Sequence, residues 1–212
     1  MKNKIYFFLI SILLFIILFL SGFKIIIFDE SLYKEQFGKY NVYSNFNSED
    51  EANENLKLLI NYLKDKNPKL ETDFFNEKEK IHLNDVKNII KKLIILLYFS
   101  IILIILIFSY FIYKGKYKFI LKSLILGLSL TIFIIILFYI LVLFDFDKVF
   151  TYFHLVSFDN NYWLLNPETD NLIKMFPQEI FFDLARIAIL YSLISSLIIL
   201  VFSIFLLYKT RK

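Results

Sequence analysis

Two side chains in this 212-residue chain have an ordinary pKa near neutral pH, His82 and His154, and there is no cysteine. His82 lies in Glu79-Lys80-Ile81-His82-Leu83-Asn84-Asp85-Val86-Lys87, and His154 closes Phe150-Thr151-Tyr152-Phe153-His154. If the first segment is helical, Glu79, His82 and Asp85 share a face at i, i+3 and i+6. Either carboxylate there can orient the imidazole and stabilise its charged form, which is general acid/base chemistry. The same two acids also suit a plain solvated helix face. Lys87 falls off that face by spacing and is better suited to a phosphate or headgroup contact.

Other chemistries find less support. Histidine and carboxylate can ligate metal, but no His-Glu-x-x-His or other short metal spacing occurs, so no metal site is expected. Ser44 and Ser157 lie in no Gly-x-Ser-x-Gly elbow, and without cysteine there is neither a disulfide nor a thiol nucleophile. Asn160, Asn161 and Trp163 can offer N–H donors to an oxyanion, or can be a turn and an interfacial anchor. Nucleotide loops and nucleic-acid motifs are absent, and no nucleic-acid partner is expected.

The elements that must hold these residues are membrane spans. Hydrophobic residues make up 58% and aromatics 19%, with only 4 Gly and 3 Pro, a balance of long uninterrupted helices in lipid. Four stretches carry no charge, Ile5 to Phe23, Leu93 to Tyr113, Ser123 to Phe144 and Ile187 to Tyr208, each near the length a helix needs to cross a bilayer. The expected fold is one all-α membrane domain over 1–212, with transmembrane helices at about 5–27, 91–113, 119–144 and 186–208 and extracytoplasmic segments at 28–90 and 145–185. Lys2, Lys4, Lys114, Lys116, Lys118, Lys122, Lys209, Arg211 and Lys212 flank one side without an acid among them, and every Asp and Glu lies in the other two connections. By the positive-inside rule the termini are cytoplasmic and both histidines face outward. The first run is too long for a signal-peptide core and lacks a cleavage site, so it reads as an uncleaved anchor. The net charge of +4 reflects that lysine-rich side and its contact with membrane lipids.

The first outer segment predicts an amphipathic helix. Ser48 opens a Ser-x-x-Glu box, and Leu56, Leu59, Ile60 and Leu63 follow at helical spacing until Asn67-Pro68. Its apolar stripe needs a cover, either the membrane surface or the rest of the outer face. Asn76 to Glu79 offers a second cap, after which the helix runs unbroken into the next span and carries His82 on a rigid extension. The second outer segment interleaves aromatics with Asp, Asn and Glu, a composition for the headgroup layer. It predicts a short interfacial helix over Phe146, Phe150 and Phe153, turns at Asp159-Asn160-Asn161 and Asn166-Pro167, and Pro177 at N1 of the last helix. Gly127, Ser192, Ser195 and Ser196 read as helix-packing surfaces.

Phe150 to His154, Asn160, Trp163-Leu164-Leu165-Asn166-Pro167, Asp170-Asn171-Leu172-Ile173, Phe176-Pro177 and Phe181-Phe182-Asp183 together resemble the signature of the lipoprotein intramolecular transacylase (Lit) family, four-span bacterial membrane proteins. Glu79, His82, Asp85, Val86 and Lys87 resemble that family's second block. Lys78 stands where an arginine is usual, and Ser157 where an aromatic is.

The resemblance implies a bacterial cell-membrane acyltransferase acting at the outer leaflet on diacylglyceryl-modified lipoproteins. It would move the sn-2 acyl chain of the modified N-terminal cysteine onto that residue's own α-amine, giving the N-acyl, S-monoacylglyceryl form. His82 and His154 would be base and acid in an unassigned order, supported by Glu79, Asp85, Lys87, Asn160 and Trp163. The amine, with a pKa near 7.7–8.0, needs a base to become nucleophilic. Donor and acceptor belong to one molecule, so orientation can replace encounter, and no external cofactor is required. Two competing readings are a lipid or lipoprotein ester hydrolase and a non-catalytic lipoprotein-associated membrane protein.

Overall fold

In a computed structural model that describes residues 2–67 and 69–210, the regular elements are helical. They are α1 (Lys2–Ile27), α2 (Glu30–Lys39), α3 (Glu49–Leu63), α4 (Glu77–Tyr113), α5 (Tyr117–Phe144), α6 (Phe146–Ser157), α7 (Asn171–Met175) and α8 (Gln178–Lys209), with a 3₁₀ turn at Val42–Asn45. Helices α1, α4, α5 and α8 are long and apolar enough to cross a membrane and are the four transmembrane helices of an all-α protein. Pro68, part of the expected stop after α3, and Arg211 and Lys212 of the basic C-terminal flank lie outside the described residues.

The chain folds into two compact units. One comprises Met1–Lys24, Leu93–Phe144 and Arg186–Lys212, the other Ile25–Lys92 and Asp145–Ala185. In the first, Ile10, Leu13, Leu14 and Leu18 of α1 pack with Ile104, Ile107 and Phe111 of α4 and Ile120 and Leu128 of α5. Lipid is as apolar as leucine, so close approach through small residues must help hold such helices together. A Cβ on Gly127 would come within 2.7 Å of the Leu14 side chain, and one on Gly22 within 2.8 Å of the Ala188 carbonyl oxygen. The Ser192 hydroxyl lies within hydrogen-bond reach of both the Leu18 carbonyl across the packing (3.1 Å) and the Ala188 carbonyl of its own helix (2.9 Å), and the Ser196 hydroxyl donates to the Ser192 carbonyl. Gly115, at φ +66°, ends α4 in a left-handed turn whose backbone bonds reach Ile112 and Phe111.

The second unit is built on side-chain caps. Asp29 accepts the N–H groups of Ser31 and Leu32 and starts α2, a helix not anticipated from the sequence. Ser48 Oγ accepts the Glu51 N–H at 3.1 Å, but Glu51 reaches back one residue further than a capping box requires, to the Asn47 N–H. At α4 the box is reciprocal. Asn76 Oδ1 accepts the Glu79 N–H and Glu79 accepts the Asn76 N–H. The α3 stripe is covered by protein: Leu56, Leu59, Ile60 and Leu63 are all buried. Of the two covers open from sequence, protein rather than the membrane surface supplies this one.

Downstream of α3, Asp65 takes a left-handed φ of +62°, with backbone bonds from Asp65 to Tyr62 and from Lys66 to Asn61. Asp145 caps α6 by accepting the Lys148 N–H at 3.1 Å. Pro177 precedes the first residue of α8 by one position, a shift from N1 of the size by which helix boundaries ordinarily differ.

Candidate functional site

The two histidines, 72 residues apart in sequence, meet in the second unit with ring centroids 6.1 Å apart and planes inclined by 28°. Continuous helix from the Asn76 cap carries His82 on α4, and α6 carries His154 near its C-terminal end. Rings enclose them. Phe158 lies 4.9 Å from His82 and 5.6 Å from His154, and Phe150 and Trp163 lie 4.4 Å and 4.9 Å from His154. Phe150, His154 and Phe158 recur every four residues, so one face of α6 and its cap presents three rings in a row. Phe158 was not singled out from sequence, although that spacing was its signal.

Both imidazoles are buried, His82 6% and His154 7% exposed. Burial removes the water that would solvate an imidazolium, so both pKa values fall below the usual histidine range. His82 is pushed down to about 4 by burial and then by the neighbouring imidazole, against a weaker pull upward from Asp85. For His154 burial is opposed by a hydrogen bond to the backbone. That bond fixes a tautomer. His154 Nδ1 lies 2.7 Å from the Phe150 carbonyl oxygen, and a carbonyl only accepts, so Nδ1 carries the proton. The neutral ring then has its lone pair on Nε2. His82 Nδ1 is buried and without a hydrogen-bond partner. This arrangement provides a neutral base of defined tautomer beside a second neutral imidazole, in surroundings where a transferred proton is weakly solvated.

The residues expected to support the histidines divide by what they touch. Glu79, 1% exposed, has both oxygens engaged, accepting the Leu172 N–H at 2.5 Å and the Asn76 N–H at 2.6 Å. Burial raises its pKa, against those two bonds. It ties the start of α7 to the start of α4. Asp85 accepts a hydrogen bond from Asn160 Nδ2 at 2.9 Å, and Asn160 Oδ1 accepts the Tyr162 N–H. The Asn160 amide is therefore committed to shaping the loop that carries Trp163. Asn161 is exposed, and its carbonyl accepts the Leu164 N–H in the same turn.

Lys87 lies elsewhere. Its ammonium pairs with Asp65 (3.0 Å), donates to the Asn67 carbonyl (2.9 Å) and sits 3.9 Å from the Tyr62 ring centroid. With 4% exposure it secures the left-handed turn after α3 and is closed to a headgroup. Lys78 donates to the Leu164 carbonyl and lies 3.9 Å from Asp170. Asp170 also accepts from Asn76 Nδ2 and the Asn166 N–H. Asn76, Asp170 and the Leu172 N–H are part of this scaffold without having been picked out as site residues, because their partners are 90 or more residues away. Among the described residues no three histidine or carboxylate side chains are grouped to hold a metal ion.

The family model for the lipoprotein intramolecular transacylase Lit matches residues 8–182. A solved structure of that membrane-integral transacylase from Bacillus cereus is 27% identical, covers 99% of this chain and 98% of its own, and superposes with a TM-score of 0.86. Two further structures of the Bacillus cereus protein, with a histidine changed to alanine or to arginine, give TM-scores of 0.83 and 0.82 at 27% and 26% identity. They cover 99% of this chain and 96% and 94% of their own. No curated protein matches the sequence.

Proposed function

The chain belongs to the lipoprotein intramolecular transacylase family of integral membrane acyltransferases, and from that premise we propose that it transfers the sn-2 acyl chain of a diacylglyceryl-cysteine lipoprotein to the α-amine of the same cysteine. The observation that carries the reading is the pair of buried imidazoles with ring centroids 6.1 Å apart, close enough to serve one bound ester.

His154 Nε2 accepts a proton from the amine as its nitrogen attacks the ester carbonyl carbon. The Nδ1–H bond to Phe150 persists through this step and stabilises the imidazolium that forms. The carbon to sn-2 oxygen bond then breaks, the acyl group stays on nitrogen, and the proton taken by His154 is relayed through His82 to the leaving oxygen, so that both rings finish neutral as they began. One N–H is lost and one O–H gained, so no cofactor enters the balance. Glu79 and the Asp85–Asn160 pair hold the two histidine-bearing segments in register. Trp163 and the phenylalanines keep water from competing with the amine. A membrane-anchored substrate loses little freedom on binding, because both reacting groups already belong to it.

The lysine-bearing flanks without a single acid, set against two connections that hold every Asp and Glu, support an outer-leaflet site with cytoplasmic termini. The test is conversion of a diacylglyceryl-cysteine lipopeptide to its N-acyl lyso form by purified protein, with fragment masses locating the acyl group. His82→Ala and His154→Ala are each expected to lower turnover by roughly 10²–10⁴-fold, and Asp85→Asn by less. Near-wild-type conversion by both histidine variants overturns the proposal, and release of free fatty acid with an unmodified amine supports an ester hydrolase instead.

A further inference from the structure

On α6, Tyr152, Leu155 and Val156 recur at i, i+3 and i+4 and are 64%, 58% and 86% exposed. His154, about half a turn round the helix, is buried against Phe150, Phe158 and Trp163. A 12-residue helix with an open apolar stripe of this kind needs a cover. Connectivity limits what that cover is. Transmembrane helix α5 ends at Phe144 and α6 starts at Phe146, with Asp145 as the whole link. The first residue of α6 therefore lies within about 7 Å of the end of a membrane-crossing segment. At that level the available apolar phase is the acyl layer just below the headgroups. Lys148, paired with Asp145 at the start of the helix and 74% exposed, borders the same stripe, and its long stem suits a cation kept at phosphate level while its neighbours enter hydrocarbon. A tyrosine with an exposed ring fits the same boundary.

We infer that the Tyr152, Leu155 and Val156 face of α6 is a bilayer contact, so that α6 is a partition with lipid on one side and the histidine pair on the other. The exposed side chains of Leu164 and Tyr162, which flank Trp163, extend the apolar rim. If the transacylase reading holds, the partition keeps His154 at the depth of glyceryl esters. The bilayer contact itself stands without that reading.

The chain has no cysteine, so nitroxide labels at Val156→Cys and Leu155→Cys report single positions. The protein is reconstituted in phosphatidylglycerol and phosphatidylethanolamine vesicles, and the accessibility of each label to oxygen and to a neutral nickel chelate is measured. Ile198→Cys, on an exposed position of α8, sets the hydrocarbon reference, and Asp50→Cys, in the first turn of α3, sets the aqueous one. Labels on α6 are expected to favour oxygen over nickel, as Ile198 does and with the order reversed from Asp50. Readings like that of Asp50 overturn the inference. So does protection from both reagents, which means that protein, such as a second copy of the chain, covers the face. Neither reading depends on activity, so failure here is distinct from failure of the transacylase proposal.

Discussion

Helices α3 and α6 begin alike and end in opposite uses. Each is short and amphipathic, and each starts with a side-chain cap 3.1 Å from a backbone N–H, Ser48 to Glu51 and Asp145 to Lys148. In α3 the apolar stripe is the buried face, with Leu56, Leu59 and Ile60 at 0%, 4% and 3% exposure. In α6 the aliphatic stripe stays outside and the buried face carries an imidazole. Amphipathic spacing thus identifies two faces but not which face meets protein. In α3 that contact stabilises a small unit, whereas in α6 it desolvates a titratable ring.

Paired substitutions are the strongest way to break this comparison. His154→Ala is expected to lower turnover by roughly 10²–10⁴-fold, equivalent to about 3–5 kcal/mol of barrier. Leu56→Ala is expected to remove about 2–5 kcal/mol of stability through the lost contacts and the cavity, with turnover per folded molecule retained. Thermal unfolding and single-turnover conversion on the same detergent preparations separate the two. If Leu56→Ala abolishes turnover at temperatures where it remains folded, the division between a stabilising and a reactive helix fails.

Acid sharpens the comparison further. His82 has a folded pKa of about 4 against an unfolded value near 6.5. Between those values the unfolded chain binds a proton that the folded chain refuses, so stability falls as pH drops from about 6.5 towards 4, by on the order of 3 kcal/mol at most. Unfolding measured across that range should show the slope in wild type and in Leu56→Ala, and lose much of it in His82→Phe. The acid limb of turnover should also lie below the ordinary histidine value, because His154 is held neutral by burial. A limb at or above 6.5 contradicts the buried-base description.

The caps give the smallest effects. Ser48→Ala and Asp145→Ala should each cost about 1 kcal/mol of local helix stability. For Ser48→Ala the loss should appear in the melting of the second unit. For Asp145→Ala it should appear first as faster hydrogen exchange at the start of α6 and reduced turnover. Equal shifts in melting with unchanged exchange would remove the distinction between the helices.

Local rules made much of the scaffold legible. Charge-free runs give the spans, and Ser48 and Asn76 start helices where short polar side chains can accept orphan N–H groups. Helix α2 was missed although Asp29 is such a residue, because its ten residues show little apolar periodicity. The pairing of Lys87 with Asp65 was also hidden, since it depends on a left-handed turn 22 residues earlier in the chain. Glu79 and Asp85 were visible as neighbours of His82 on one face. Their actual partners, the Leu172 N–H and the Asn160 amide, are 93 and 75 residues away, and no spacing rule reaches that far.

By itself the sequence determined that this is a four-span helical protein whose only two histidines lie in its two polar connections, because span length, charge and caps are read within one or two helical turns. Tertiary structure alone decided that the two rings meet and that both are stripped of water. Those outcomes depend on which distant surfaces exclude solvent from each ring, and solvent exclusion belongs to the packed fold rather than to any stretch of the chain.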